Sequence, residues 1–279
     1  MKRINDIPVW GEPVDASGAY PDGKPASSHT YQHLQQLPAS MGGGPKGSTI
    51  LLCSYAAGRA AMGAGVSYRL DHATGEWSRY STNAAHTSPT PQKTILDPLR
   101  KCYWKVGVGG HTVSRLDTST RTWTDLYAGS AGGNNFGIGS VAAYYPAFDW
   151  MIVIDFWAAT QAVHLWRLDL KNTPGGWKRL AHTGDVPPFS AQGPSINFSP
   201  SLNKFGVYAQ RGQDFIRYLN PPDDPAGDWI WTHQTFTGDA PVKGARSTAE
   251  SYNRMQWIEK LKSWAWFDGV ENPVQLWRP

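Results

Sequence analysis

The chain has 279 residues, with 29 Gly, 21 Pro, 14 Trp and 12 Tyr, and 40% of it is hydrophobic. That supply of apolar and aromatic side chains builds a core, which excludes a disordered or low-complexity chain. The net charge of +4 is scattered singly rather than in runs, which argues against a nucleic-acid partner, and no apolar run reaches the roughly 18 residues of a membrane-spanning helix.

Taken in chain order, the N-terminus begins Met1-Lys2-Arg3 and lacks an apolar segment, so no secretory signal is visible and synthesis in the cytoplasm is expected. Ile7-Pro8-Val9-Trp10 reads as one short strand. A first unit then supplies strands near 28–37, 49–53 and 66–71, the last ending in Leu70-Asp71, followed by a polar turn and Trp77. A second follows with 92–96, 102–106 and Val113 to Leu116-Asp117, then Trp123. A third has 140–145, 151–154 and Val163 to Leu168-Asp169, then Trp177. A fourth has 194–199, 205–208 and Phe215 to Leu219-Asn220, then Trp229 or Trp231. A fifth has 247–257, 263–267 and Val274-Gln275-Leu276-Trp277-Arg278, and the chain stops before its Trp strand. The β-branched and aromatic content of these runs, with Gly and Pro beside them, favours strands over helix.

The repeat sets the fold. Trp10, Trp77, Trp123, Trp177 and Trp231 lie 46 to 67 residues apart, and residues 7–11 hold the strand that the fifth unit lacks. A four-stranded unit cannot bury both of its faces alone, so such units pack radially. The expectation is an all-β, five-bladed β-propeller in one domain over 1–279. Its blades fall near 28–80, 86–127, 136–180, 192–236, and 246–279 plus 7–11, with the N-terminal strand completing the C-terminal blade and covering its edge. Thr183-Gly184-Asp185-Val186-Pro187 and Thr237-Gly238-Asp239-Ala240-Pro241 add a second shared motif, each placing its Gly seven residues beyond Trp177 and Trp231.

The order of apolar strand, Gly pair, strand ending in Leu-Asp, turn and Trp resembles the kelch repeat, with Val106-Gly107-Val108-Gly109-Gly110 as its best Gly-Gly match. Kelch rings usually have six or seven blades, so five is a departure. The segment Tyr20 to Tyr31 is similar to uncharacterised kelch-like proteins of tailed phages and proteobacteria. That resemblance implies a virion or tail-associated component and no reaction.

Repeated positions read as scaffold. The turn Trp fills space between neighbouring units. Arg69, Arg115, Arg167 and Arg278 share one slot, suited to stacking on an aromatic ring or pairing across strands. Asp71, Asp117 and Asp169 open the turns, where a carboxylate accepts from backbone N–H groups two residues on.

Catalytic signatures are thin. Glycoside hydrolysis needs two facing carboxylates, and the acids placed for it are Glu250, Asp155 and Asp268. His29 and His33, on one face of an extended strand, stand too far apart for one metal. Cys53 and Cys102 read as small buried hydrophobes. No nucleophile elbow, phosphate loop or zinc-protease motif occurs. No catalytic residue, metal or cofactor is assigned.

Binding through loops is what the pattern supports. The loops that follow each Trp strand are long, and they share a rim with the loops between second and third strands. On or beside them lie Tyr20, Asp22, His86, Asn134, Asn135, Phe136, Trp157, Phe189, Arg211 and Lys243. Aromatics flanked by polar groups suit a protein interface or a sugar ring. The expectation is a non-enzymatic interaction propeller whose partner is a protein, such as a virion or tail subunit, or a surface glycan, without membrane insertion. The competing reading is a carbohydrate-active protein, a lectin or a glycan hydrolase with an axial site.

Overall fold

A computed structural model describes residues 23–25, 32, 34–52, 66–83, 93–106, 113–127, 136, 139–157, 162–187, 194–208, 215–237, 255–266 and 274–279. Among these, regular structure is β apart from three single-turn 3-10 segments. Five sheets make the five-bladed β-propeller that the repeat calls for. The chain divides into two compact units, Met1–Asn135 and Phe136–Pro279.

The first unit holds two antiparallel sheets. One runs β1 (Leu34–Leu37), β2 (Ser48–Leu51), β3 (Tyr68–Asp71), β4 (Trp77–Arg79), and the other β5 (Lys93–Asp97), β6 (Cys102–Val106), β7 (Val113–Asp117), β8 (Thr122–Tyr127). Between them lies a core of Leu37, Ile50, Leu52, Tyr103, Leu116 and Trp123. Trp123 crosses from one sheet to the other, its Nε1 donating to the Ser67 hydroxyl at 3.0 Å.

The second unit holds three sheets. The third sheet has β9 (Val141–Tyr145), β10 (Trp150–Trp157), β11 (Ala162–Asp169) and β12 (Lys178–Leu180). Met151 to Ile154 form an unbroken apolar run because β10 is covered on both faces. At the edge, β12 exposes Lys178 and Arg179, a charged border that resists pairing with other chains. The fourth sheet contains β14 (Ser195–Ser199), β15 (Lys204–Tyr208), β16 (Phe215–Asn220), β17 (Trp229–Thr235) and a fifth, parallel strand, β13 (His182–Gly184), on the outer side of β17. The fifth sheet has β18 (Met255–Ile258), β19 (Ser263–Trp266) and β20 (Gln275–Trp277). Residues 7–11, expected to complete it, lie outside the described residues.

Register settles which tryptophan belongs to the repeat. Leu70 pairs with Trp77, Leu116 with Trp123 and Leu219 with Trp231, so Trp231 rather than Trp229 is the fourth copy. Trp231 is buried with Ile152, Ile154 and Leu165 of the third sheet, as a space-filling role requires. The turn aspartates accept as expected: Asp71 from the amide of Ala73 at 2.7 Å, Asp117 from Ser119 at 2.8 Å and Asp169 from Lys171 at 2.9 Å. Arg167 stacks on Trp150 at 3.9 Å, and Arg69 lies 3.7 Å from Asp71.

Two features were not anticipated. The residue before each second strand has a left-handed backbone, at Gly47, Lys101, Asp149, Asn203 and Lys262. The chain leaving one sheet also pairs with the last strand of the next. Thr82 donates to the Arg121 carbonyl at 2.8 Å, and the Asn83 amide brackets the main chain of Trp123 at 2.7 and 2.9 Å. In the second unit β13 does the same beside Trp231, with Gly184 at φ +91°. The first Thr-Gly-Asp motif therefore fastens the third sheet to the fourth.

Candidate functional site

In the second unit, β17 ends, β18 begins, β19 ends and β20 begins at one end of the fourth and fifth sheets, the end from which the intervening loops leave. A cavity of about 330 Å³ opens there. Its floor is Met255, Trp264 and Trp266, all buried. Phe236 and Trp277 form partly buried walls, edge to face with centroids 4.9 Å apart. Thr237 and Leu276 are exposed at the mouth beside half-buried Gln275.

The floor is held rigidly. Trp264 lies against Gly206, where a Cβ would fall 2.3 Å from the indole, so only glycine lets the ring approach. Its Nε1 donates to the Tyr218 hydroxyl at 3.3 Å, and Trp257 packs edge-on at 4.9 Å. Burial pushes the Tyr218 phenol up to about 12, so it stays neutral as an acceptor. Trp266 meets Tyr208 with centroids 3.7 Å apart. Preorganised aromatic walls of this kind lose little entropy when a ligand arrives.

The opposite face of the fourth sheet carries a polar cluster near the same end. Asp185, just beyond β13, accepts from or pairs with His233 Nδ1 at 2.7 Å and lies 3.5 Å from Arg217 Nε. The Arg217 guanidinium sits 4.6 Å above Phe215, and Arg217 Nε also donates to the Asp185 carbonyl at 3.3 Å. These contacts bind β13 to β16 and β17, so the cluster is a brace for the junction.

Of the residues singled out in the loops, Tyr20, Asp22, His86, Asn134, Asn135, Phe189, Arg211 and Lys243 lie outside the described residues. Trp157 is the last residue of β10, and its side chain lies outside the description too. Phe136 requires a correction. It is 1% exposed and packs edge-on against Trp177 at 4.9 Å and Trp166 at 6.2 Å, so it serves the scaffold and offers no rim surface. The apolar neighbours outweigh its position in a long loop.

The acids and thiols resolve similarly. Asp155 is 1% exposed and sits opposite His164 in the β10–β11 register, so it presents no open carboxylate to a substrate. Glu250 and Asp268 lie outside the described residues. Cys102 is buried, its thiol pushed up to about 12 chiefly by burial, which leaves it an inert core residue. Cys53, His29 and His33 lie outside the described residues.

From sequence, Thr237 falls at the start of a rim loop and the other cavity residues fall within the strand-bearing blades. The signal was present in Ser263-Trp264-Ala265-Trp266, where two indoles alternate with small residues on a second strand. No family model and no curated protein matches the chain. Among solved structures, a protein of unknown function from Bacteroides thetaiotaomicron is similar over 83% of this chain and 56% of its own, at 12% identity and a TM-score of 0.56. An auxiliary nutrient binding protein from Bacteroides ovatus is similar over 84% and 57%, at 16% identity and a TM-score of 0.50. The chain thus spans just over half the length of these structures. The likeness is one of fold.

Proposed function

We propose that the chain is a non-enzymatic binding propeller that engages a glycan or protein partner at the loop-bearing end of its sheets. The observation that carries this reading is the aromatic cavity opening at that end, on strands that fix its walls. The described residues that line it are aromatic, apolar or neutral polar, a surface suited to holding a ligand. The fold neighbour described as an auxiliary nutrient binding protein supports the same direction.

A virion or tail-associated component, made in the cytoplasm and then assembled into a particle, is the narrower form of the proposal. Its support is the resemblance carried by residues 20–31. The test is an array of glycans and peptides probed with the whole chain, with product analysis of every retained glycan. Retention without new reducing ends is the expected result. New reducing ends would overturn the non-enzymatic reading, and retention of neither class would overturn binding at this end.

A further inference from the structure

The chemistry of the cavity narrows the ligand. Resting on the rim-binding reading above, we infer that the cavity receives a neutral sugar ring at the end of a glycan. Its volume of about 330 Å³ lies at the small end of the range for small-ligand sites, roughly 300–1,000 Å³. That space suits one ring, with part of a second, and not a folded protein surface.

The walls match the two-sided character of a sugar. A pyranose has a C–H face that packs on an aromatic ring, and hydroxyls around its rim. Trp277 and Phe236 offer partly exposed aromatic surface above the buried floor of Trp264 and Trp266. At the mouth, the Thr237 hydroxyl and the Gln275 amide provide donors and acceptors for hydroxyl groups. An apolar peptide side chain would fill the floor and use neither of those polar groups.

Charge decides between sugar classes. Among the described residues, every one that lines the cavity is uncharged. A uronate or sugar phosphate would meet no counter-charge among these residues and would leave its water at a cost. A neutral hexose meets no such penalty.

The experiment titrates the full chain with methyl glycosides of neutral hexoses, the matching uronic acids and an apolar tripeptide, read by tryptophan fluorescence and calorimetry. Trp277→Ala, Trp277→Phe and Gln275→Ala are compared, each with its melting temperature. A neutral glycoside is expected to quench saturably and to bind about tenfold tighter than its uronic acid. Trp277→Ala is expected to weaken it about tenfold and Gln275→Ala about fivefold, in line with lost stacking and one lost hydrogen bond. Trp277→Phe is expected to retain binding within about threefold, and if Trp277→Ala unfolds, the other two variants decide.

Sugar binding indifferent to these substitutions would overturn the cavity assignment and leave rim binding standing. Preference for the uronic acid, or for the tripeptide over any sugar, would overturn the ligand class. Absence of binding by every probe and by the array would overturn both readings.

Discussion

At Asp71, Asp117 and Asp169 one carboxylate oxygen holds the amide two residues ahead at 2.7 to 2.9 Å, three copies of one local device. Removing it should cost about 1 kcal/mol, the net worth of a typical hydrogen bond, so Asp71→Ala is expected to lower the unfolding free energy by that amount, read as a lower urea midpoint at unchanged slope. Asp117 adds a pH signature, because bonds from the Ser119 hydroxyl and the Thr120 and Ser119 amides hold its carboxyl below the usual range. A carboxylate lowered on folding contributes above its unfolded value, near 4, and that contribution disappears as pH falls through the folded value. Asp117→Asn is therefore expected to flatten the acid limb of a melting-temperature profile, while an unchanged limb would remove the bond from the account. Asn220 shows why the motif alone is not enough: in the same slot its amide donates to the Ile230 carbonyl at 2.7 Å and to Thr232. Phe136→Ala belongs to this scale as well, and with the ring buried it should cost roughly 3–5 kcal/mol in denaturation and change binding only through stability.

Strands were legible because alternation and β-branching survive in the copies and the Leu-Asp ending in the first three, with Asn220 in the Asp slot of the fourth; β6, β7 and β16 fall where those patterns put them. The left-handed slot before each second strand was not legible. Gly47, Lys101, Asp149, Asn203 and Lys262 share a backbone angle and no side-chain chemistry, so nothing repeats in the letters. A non-glycine residue there carries about 1–2 kcal/mol of strain. Lys101→Gly and Lys262→Gly should recover part of it and raise the melting temperature by a few degrees. The opposite result is expected at Gly184, where φ is +91° and a Cβ would stand 2.3 Å from the Trp231 carbonyl oxygen. Gly184→Ala should detach β13 from β17, read as faster amide exchange at Asp185, whose N–H donates to the Trp231 carbonyl at 3.0 Å.

For the molecule as a whole, five spaced tryptophans were enough to count the blades, and among the described copies Trp123 and Trp231 are buried in the cores between neighbouring sheets. The site was harder to read. Trp264 and Trp266 occupy the same strand slot as core residues elsewhere, and a sequence does not distinguish an indole that packs from one that packs and also walls a cavity. The remaining rim residues sit in loops beyond the described strands, where no periodicity constrains them. Net charge supplies the last prediction. A basic chain of +4 that bound an anionic partner would weaken as salt rises, whereas a neutral ring held by the uncharged described residues of the cavity should not. Affinity for the glycoside is expected to stay constant between low and high salt, and a steep decline would point to a charged ligand.

The parallel strand β13 also bears on how the protein is made. His182 to Gly184 finds its partner on β17, roughly 50 residues later in the chain, a separation that adds closure entropy before any bond is gained. On the ribosome, this segment emerges before the strand that pairs with its main chain, the last of the fourth sheet, has been delivered. The junction therefore fastens after translation has moved well past it.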